Sequence, residues 1–340
     1  MHQEKRFKIL PLCNRQFQLV FLLLLVTIIS ACQPSYQKPI MRWQHAVEGA
    51  RGATISNDGK FAAVSSIHHG ISYWDLENNA LLFNWGQKQE NADNLVLALD
   101  ISNNNSHVLT ASKENFALWN TTTGQSEGYW KIRESSIRDI AVANNGNYIL
   151  LGKGNGTVVH LTTDTGRRIE FLGHQEKVNS VDMLANGRVA LSGGNDFVAF
   201  LWDTESGQVI YRFNHPSRVT KVALDPYGRY AFTADSKKSA NIWDLKTGTL
   251  VSQLKYTNRQ EVFSAVSFSE DGKQLLTGAP SRKISVWDIA SGKRVSNWRV
   301  TPREDIRPAG AVVYSVAFRD NSTVISESSS GYAELWQINN

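Results

Sequence analysis

One pattern recurs seven times and governs what this chain can fold into. The segments ISYWDL, FALWNT, VVHLTT, AFLWDT, NIWDLK, SVWDIA and ELWQIN place Trp74, Trp119, Leu161, Trp202, Trp243, Trp287 and Trp336 at intervals of 41 to 49 residues. Before most of these anchors runs an alternating segment such as VNSVDML, VTKVALD or VYSVAFR, followed by a tight turn such as SNDGK, LANGR, DPYGR or SEDGK. Alternation with period two predicts a strand that turns every second side chain toward a neighbouring sheet. The glycines supply the positive φ that such turns require. After each anchor but the last comes a second turn (LENNA, TTTGQ, TDTGR, TESGQ, LKTGT, IASGK) and room for a fourth strand. Helical periodicity is absent beyond the N-terminal segment, so the expectation is all-β, with seven four-stranded units.

The period, the Trp-Asp anchors and the strand and turn pattern resemble the WD40 repeat, and over residues 40–340 the chain looks like a seven-bladed WD40 β-propeller. In that family a blade can carry a hydrogen-bonded His, Ser or Thr, Asp and Trp that ties its strands together. The resemblance assigns this tetrad in the fourth blade to His174, Ser192, Asp196 and Trp202. Elsewhere the pattern departs: Lys237 stands where the fifth blade would have its Asp, Leu161 replaces the third Trp, and the sixth blade lacks the His.

Ring closure is testable from spacing. Each fourth strand carries a large apolar residue 10 or 11 positions beyond its anchor: Trp85, Trp130, Phe171, Phe213, Leu254 and Trp298. The seventh would fall near residue 347, and the sequence stops at Asn340. Its counterpart is Trp43 in IMRWQHA, so the N-terminal strand is expected to pair with the C-terminal blade and leave no long unpaired edge.

The N-terminal segment addresses the compartment. Lys5, Arg6, Lys8 and Arg15 precede an apolar run from Leu19 to Ile29, about a dozen residues. A spanning helix needs roughly 20. A basic region, a short apolar run and small residues make a secretory signal peptide instead. Ile29-Ser30-Ala31-Cys32 resembles the lipobox of bacterial lipoproteins, which implies that a lipid, palmitate among its chains, is attached at Cys32 and that cleavage leaves this cysteine first. The organisation read from sequence is signal peptide 1–31, tether 32–39 and propeller 40–340. The other cysteine, Cys13, falls in the segment removed, so the mature chain has no disulfide and depends on its core. Removing residues 1–31 also takes four of 36 basic and one of 31 acidic residues, which lowers the net charge from +5 to +2. No nucleic-acid footprint follows from that balance.

No residue pattern speaks for catalysis. His68 and His69 are adjacent, so on a strand they point to opposite faces and cannot share a metal. Gly152 to Gly156 has the glycines of a phosphate loop without its Lys-Ser/Thr ending or following helix. No catalytic residue, metal ligand or cofactor is therefore expected.

The expected function is a non-enzymatic, lipid-anchored scaffold or accessory subunit that presents loops to protein partners in the cell envelope. Gln33 rather than Asp after the lipid cysteine points to the outer membrane, facing the periplasm. The alternative is a propeller enzyme or ligand-binding protein that uses the central channel. In the family the fourth strand runs from the bottom face to the top, so a chain entering at Ile40 enters at the bottom. An eight-residue tether reaches at most roughly 28 Å, which would keep that face near the membrane. Long charged connections on the other face, GQKQENADN and RVTPREDIRPAGA, suggest that partners bind there. The candidates are Arg303, Asp305 and Arg307 in the longest connection, then Arg51, Arg138 and Arg218 at other top edges.

Overall fold

The computed structural model describes residues 37–85, 95–257, 261–304 and 309–338. The repeat becomes seven four-stranded antiparallel sheets. Blade 1 is β2–β5 (Gly52–Trp85), blade 2 β6–β9 (Ala98–Lys131), blade 3 β10–β13 (Ile137–Phe171) and blade 4 β14–β17 (Val178–Asn214). Blade 5 is β18–β21 (Val219–Gln253), blade 6 β22–β25 (Ala265–Arg299) and blade 7 β26–β28 (Val313–Gln337) with β1 (Met41–Gln44) as its fourth strand. The first strand of each blade packs on the first strand of the next, and β26 on β2, so seven inner strands surround one axis. The architecture is a seven-bladed β-propeller, and its closure is the one expected: β1 pairs antiparallel with β28, with Trp43 opposite Ala333.

The Asp of each Trp-Asp pair has a local task. In blade 4, Asp203 Oδ1 accepts the amide N–H groups of Glu205 and Ser206 at 3.1 and 2.7 Å, closing the turn into the fourth strand. Asp75, Asp244 and Asp288 do the same in their blades, and Asn120 substitutes in blade 2. Such Asx turns give the main chain an alternative to the ladder at the point where the strand must end. In the turn between the first and second strands of blade 2, Asn105 takes φ 60° where blades 1, 3, 4, 5 and 6 use Gly, as asparagine tolerates.

One recurring contact joins the hydrophobic cores of successive blades. The large apolar residue of a fourth strand lies on the anchor of the next blade. Trp85 stacks on Trp119 with ring centroids 5.1 Å apart, Phe171 on Trp202 at 4.6 Å, and Phe213 on Trp243 at 4.4 Å. Trp298 meets Trp336 at 6.2 Å, and Trp130 with Leu161 and Leu254 with Trp287 share core clusters. Trp43 shares a cluster with Trp74 of blade 1, so the same contact closes the ring. Aromatic pairs in such offset arrangements contribute beyond the area they bury.

Candidate functional site

Each inner strand begins at the face that carries the connections between blades and the turns between second and third strands. This is the top face of the sequence reading. Arg51 and Arg218 immediately precede β2 and β18, and Arg138 sits at an irregularity in the pairing of β10; all three are exposed. Arg303 forms an isolated bridge with Gly310, and its guanidinium donates to the main-chain carbonyl of Glu48. It therefore fastens the connection into blade 7 to the start of blade 1. Asp305 and Arg307, the 86–94 connection and Cys32 lie outside the described residues.

The expected tetrad of blade 4 holds in three of its four members. His174 lies with Nδ1 3.0 Å from Asp196 and Nε2 2.9 Å from Ser192 Oγ. Burial alone would raise the Asp196 carboxyl, but bonds from His174 and the Gln175 amide hold it below its usual range. Trp202 is the correction: its indole nitrogen has no hydrogen-bond partner among the described residues, and the ring is held by stacking on Phe171. Blade 5 makes the link to its Trp that blade 4 lacks. There Thr233 Oγ1 meets both His215 Nε2 and Trp243 Nε1 at 2.8 Å. Lys237 does occupy the Asp position by count, yet Asp235, two residues earlier, places a carboxylate 3.8 Å from His215 Nδ1. Burial lowers the His215 pKa, against the pull of Asp235.

The Trp–hydroxyl link recurs as Trp119–Thr110, Trp287–Thr277 and Trp336–Ser326 at 2.8 to 3.1 Å. The signal for it is a Ser or Thr nine or ten residues before the Trp, although Ser192 stands there in blade 4 and bonds His174 instead. Val64 stands there in blade 1, and the Trp74 indole nitrogen is unpartnered among the described residues. In blade 6, which lacks the His, Arg294 lies 4.4 Å from the Trp287 ring centre and Glu261 pairs with Lys283 at 3.1 Å.

Three carboxylates face the axial channel, and sequence reasoning missed them. Asp100 Oδ2 accepts the Val142 amide at 2.8 Å. Asp139 Oδ2 accepts the Ser180 hydroxyl at 2.9 Å and the Val181 amide at 3.1 Å, with Lys221 3.8 Å away. Asp182 Oδ2 accepts the Leu224 amide at 2.7 Å. Each carboxylate thus takes an N–H from the inner strand of the following blade. Ser315 Oγ plays the same part for Ile55, joining the seventh blade to the first. Burial, reinforced by the charge of Asp182 and opposed by the Val142 amide, pushes the Asp100 carboxyl up to about 8; burial brings Asp182 to about 6. This geometry stitches blades together around the axis. Among the described residues no three His, Cys, Asp or Glu side chains are arranged to hold a metal ion.

Comparison with known families bears on the repeat itself. The WD40 family (WD domain, G-beta repeat) matches residues 166–203, 207–244 and 249–288. The first match takes in the fourth strand of blade 3 and the first three of blade 4, and the next two keep that phase. The matched unit is offset by one strand from the structural blade, the same offset that brings β1 to blade 7. No curated protein matches the chain. The chain carries WD40 repeats in a seven-bladed propeller.

Proposed function

We propose that this WD40 propeller is a non-enzymatic interaction scaffold, anchored through a lipid on Cys32 and acting in the bacterial cell envelope, with partners met on the face that carries the connections between blades. The observation that supports it best is how the titratable groups of the channel and blades are employed. Asp100, Asp139 and Asp182 accept main-chain N–H groups of neighbouring blades, and His174 and His215 are committed to hydroxyls within their own. Residues employed in this way hold a rigid platform together, and binding then falls to the loops it positions.

Several acyl chains together hold a protein on a membrane, at about 0.8 kcal/mol per buried methylene. Cys32→Ser is therefore expected to leave the membrane fraction; its retention in the pellet after a high-salt wash would refute the anchor. Photocrosslinkers at position 138, on the proposed partner face, and at position 206, in a turn of the opposite face, test the scaffold role in cells. Protein adducts at 138 support the reading. Adducts at 206 alone would overturn the choice of face.

A further inference from the structure

Pairing register identifies equivalent residues in different blades. Ala199, Val158, Ala333 and Ile284 each lie opposite the large apolar residue of the fourth strand, Phe213, Phe171, Trp43 and Trp298. Two positions before them, in the turn between second and third strands, the backbone is left-handed in all four blades. Gly156 and Gly331 occupy that position in blades 3 and 7, as the conformation favours. Arg282 occupies it in blade 6, where its Nε donates to the Val300 carbonyl at 2.9 Å. In blade 4 the residue is Phe197, at φ 68° with half of its surface exposed and in no ring contact among the described residues. A bulky residue at positive φ is a costly outlier, and the fold gains no buried ring in return. Strain kept where glycine would serve points to a use outside the fold.

The surroundings of Phe197 indicate that use. Its carbonyl accepts the His215 amide at 2.8 Å, which sets exposed Pro216 directly beside it. Pro216 forms one wall of an open depression of about 800 Å³ whose other walls include Lys237, Lys238 and Lys255. The Arg218 carbonyl accepts the Ser236 amide, so a fourth cation adjoins the same turn. All four cations are exposed, and none has a carboxylate within 4.0 Å among the described residues.

We propose that this rim of blades 4 and 5 docks an extended acidic segment of a protein partner, whose apolar side chain packs on Phe197 and Pro216 while its carboxylates meet Lys237, Lys238, Lys255 and Arg218. Uncompensated cations around a depression attract the complementary charge and set its orientation. An exposed aromatic beside them supplies the apolar anchor on which such contacts concentrate their energy. A single exposed ring differs from the successive stacking rings that single-stranded nucleic acid uses. This inference rests on the reading of the chain as an interaction scaffold.

The test places a photocrosslinker at position 216 of the full chain in cells, with position 138 in parallel, and identifies the crosslinked segment by mass spectrometry. That segment is then synthesised and its affinity measured against the purified propeller. The expected segment is acidic and carries an apolar residue; Phe197→Gly and the pair Lys237→Glu/Lys238→Glu each weaken it about tenfold, with melting temperatures at or above the parent's for the glycine variant. A neutral or basic segment, a lipid or nucleic-acid adduct, or affinity indifferent to both variants would overturn the proposal. Adducts at 138 with none at 216 would overturn it while leaving the scaffold reading intact. Absence of protein adducts at 138, 206 and 216 alike would remove the two together.

Discussion

His45 Nδ1 lies 2.5 Å from Glu327 Oε1, a buried contact between side chains 282 residues apart. His45 follows the strand that completes blade 7, and its ring stacks on Trp74 of blade 1 at 4.4 Å. It therefore sits where the first and last blades meet. Burial pulls its pKa down, but the charge and hydrogen bond of Glu327 outweigh burial and raise it above the ordinary 6.5. A histidine raised on folding contributes stability that is complete below its unfolded value and fades as pH climbs through the folded one. The melting temperature is thus expected to decline above pH 6.5, and His45→Gln to make that decline shallower. His45→Ala, which strands Glu327 in the interior, is expected to cost about 3–5 kcal/mol in chemical denaturation.

Trp43 makes the same kind of contact across that junction, packing with Trp74 and Ile55. Deleting residues 40–46 removes the fourth strand of blade 7 and bares the edge of β28, so aggregation and a lower melting temperature are expected. Deleting 33–38 spares every strand among the described residues and is expected to leave the transition nearly unchanged. Trp43→Ala, which removes a half-buried ring, is expected to cost about 2 kcal/mol. Equal melting of the two deletions would show that the ring does not depend on this strand.

Thr233 and Ser192 occupy equivalent places with different loads. Thr233 serves both His215 and Trp243, whereas Ser192 serves His174 alone. Removing a hydroxyl leaves each buried partner unsatisfied, at roughly 1–3 kcal/mol apiece. Thr233→Val is expected to destabilise about twice as much as Ser192→Ala in urea titrations. The reverse order would place the main hydrogen-bonded chain in blade 4 after all.

The blades, their number and the closing strand were legible because period and alternation are properties of sequence that the fold repeats seven times. Trp43 could be assigned by counting because one strand was missing at the C-terminus. The tetrad was less legible, since counting from Ser192 to Asp196 places Lys237 after Thr233, while the carboxylate 3.8 Å from His215 belongs to Asp235 at the end of the second strand of blade 5, where blade 4 has Gly194. The channel carboxylates were illegible for another reason. Asp100, Asp139 and Asp182 lie on strands that alternate like any other, and only packing one inner strand on the next reveals that each accepts an amide from its neighbour. Phe197 has no local signal at all: its left-handed φ appears only when the turn is seen beside those of other blades.

Asp100 provides a test of the channel. Its carboxyl is raised from the ordinary 3.8 to about 8, chiefly by burial, while its Oδ2 accepts the Val142 amide. For an acid raised on folding, the folded state favours the protonated form, so the stability it contributes is complete below pH 3.8 and is lost as pH rises to about 8. The steepest loss attributable to one such group is about 1.4 kcal/mol per pH unit, and channel water lessens it. Asparagine keeps an oxygen able to accept the Val142 N–H and carries no charge. Asp100→Asn is therefore expected to match the parent near pH 4, to surpass it progressively up to pH 8, and to hold a constant advantage above that. Thermal denaturation of both proteins from pH 4 to 9 checks the expectation. A difference that is flat across this range, or that favours the parent at high pH, would mean that Asp100 is ionised throughout and that its bond to blade 3 is charged.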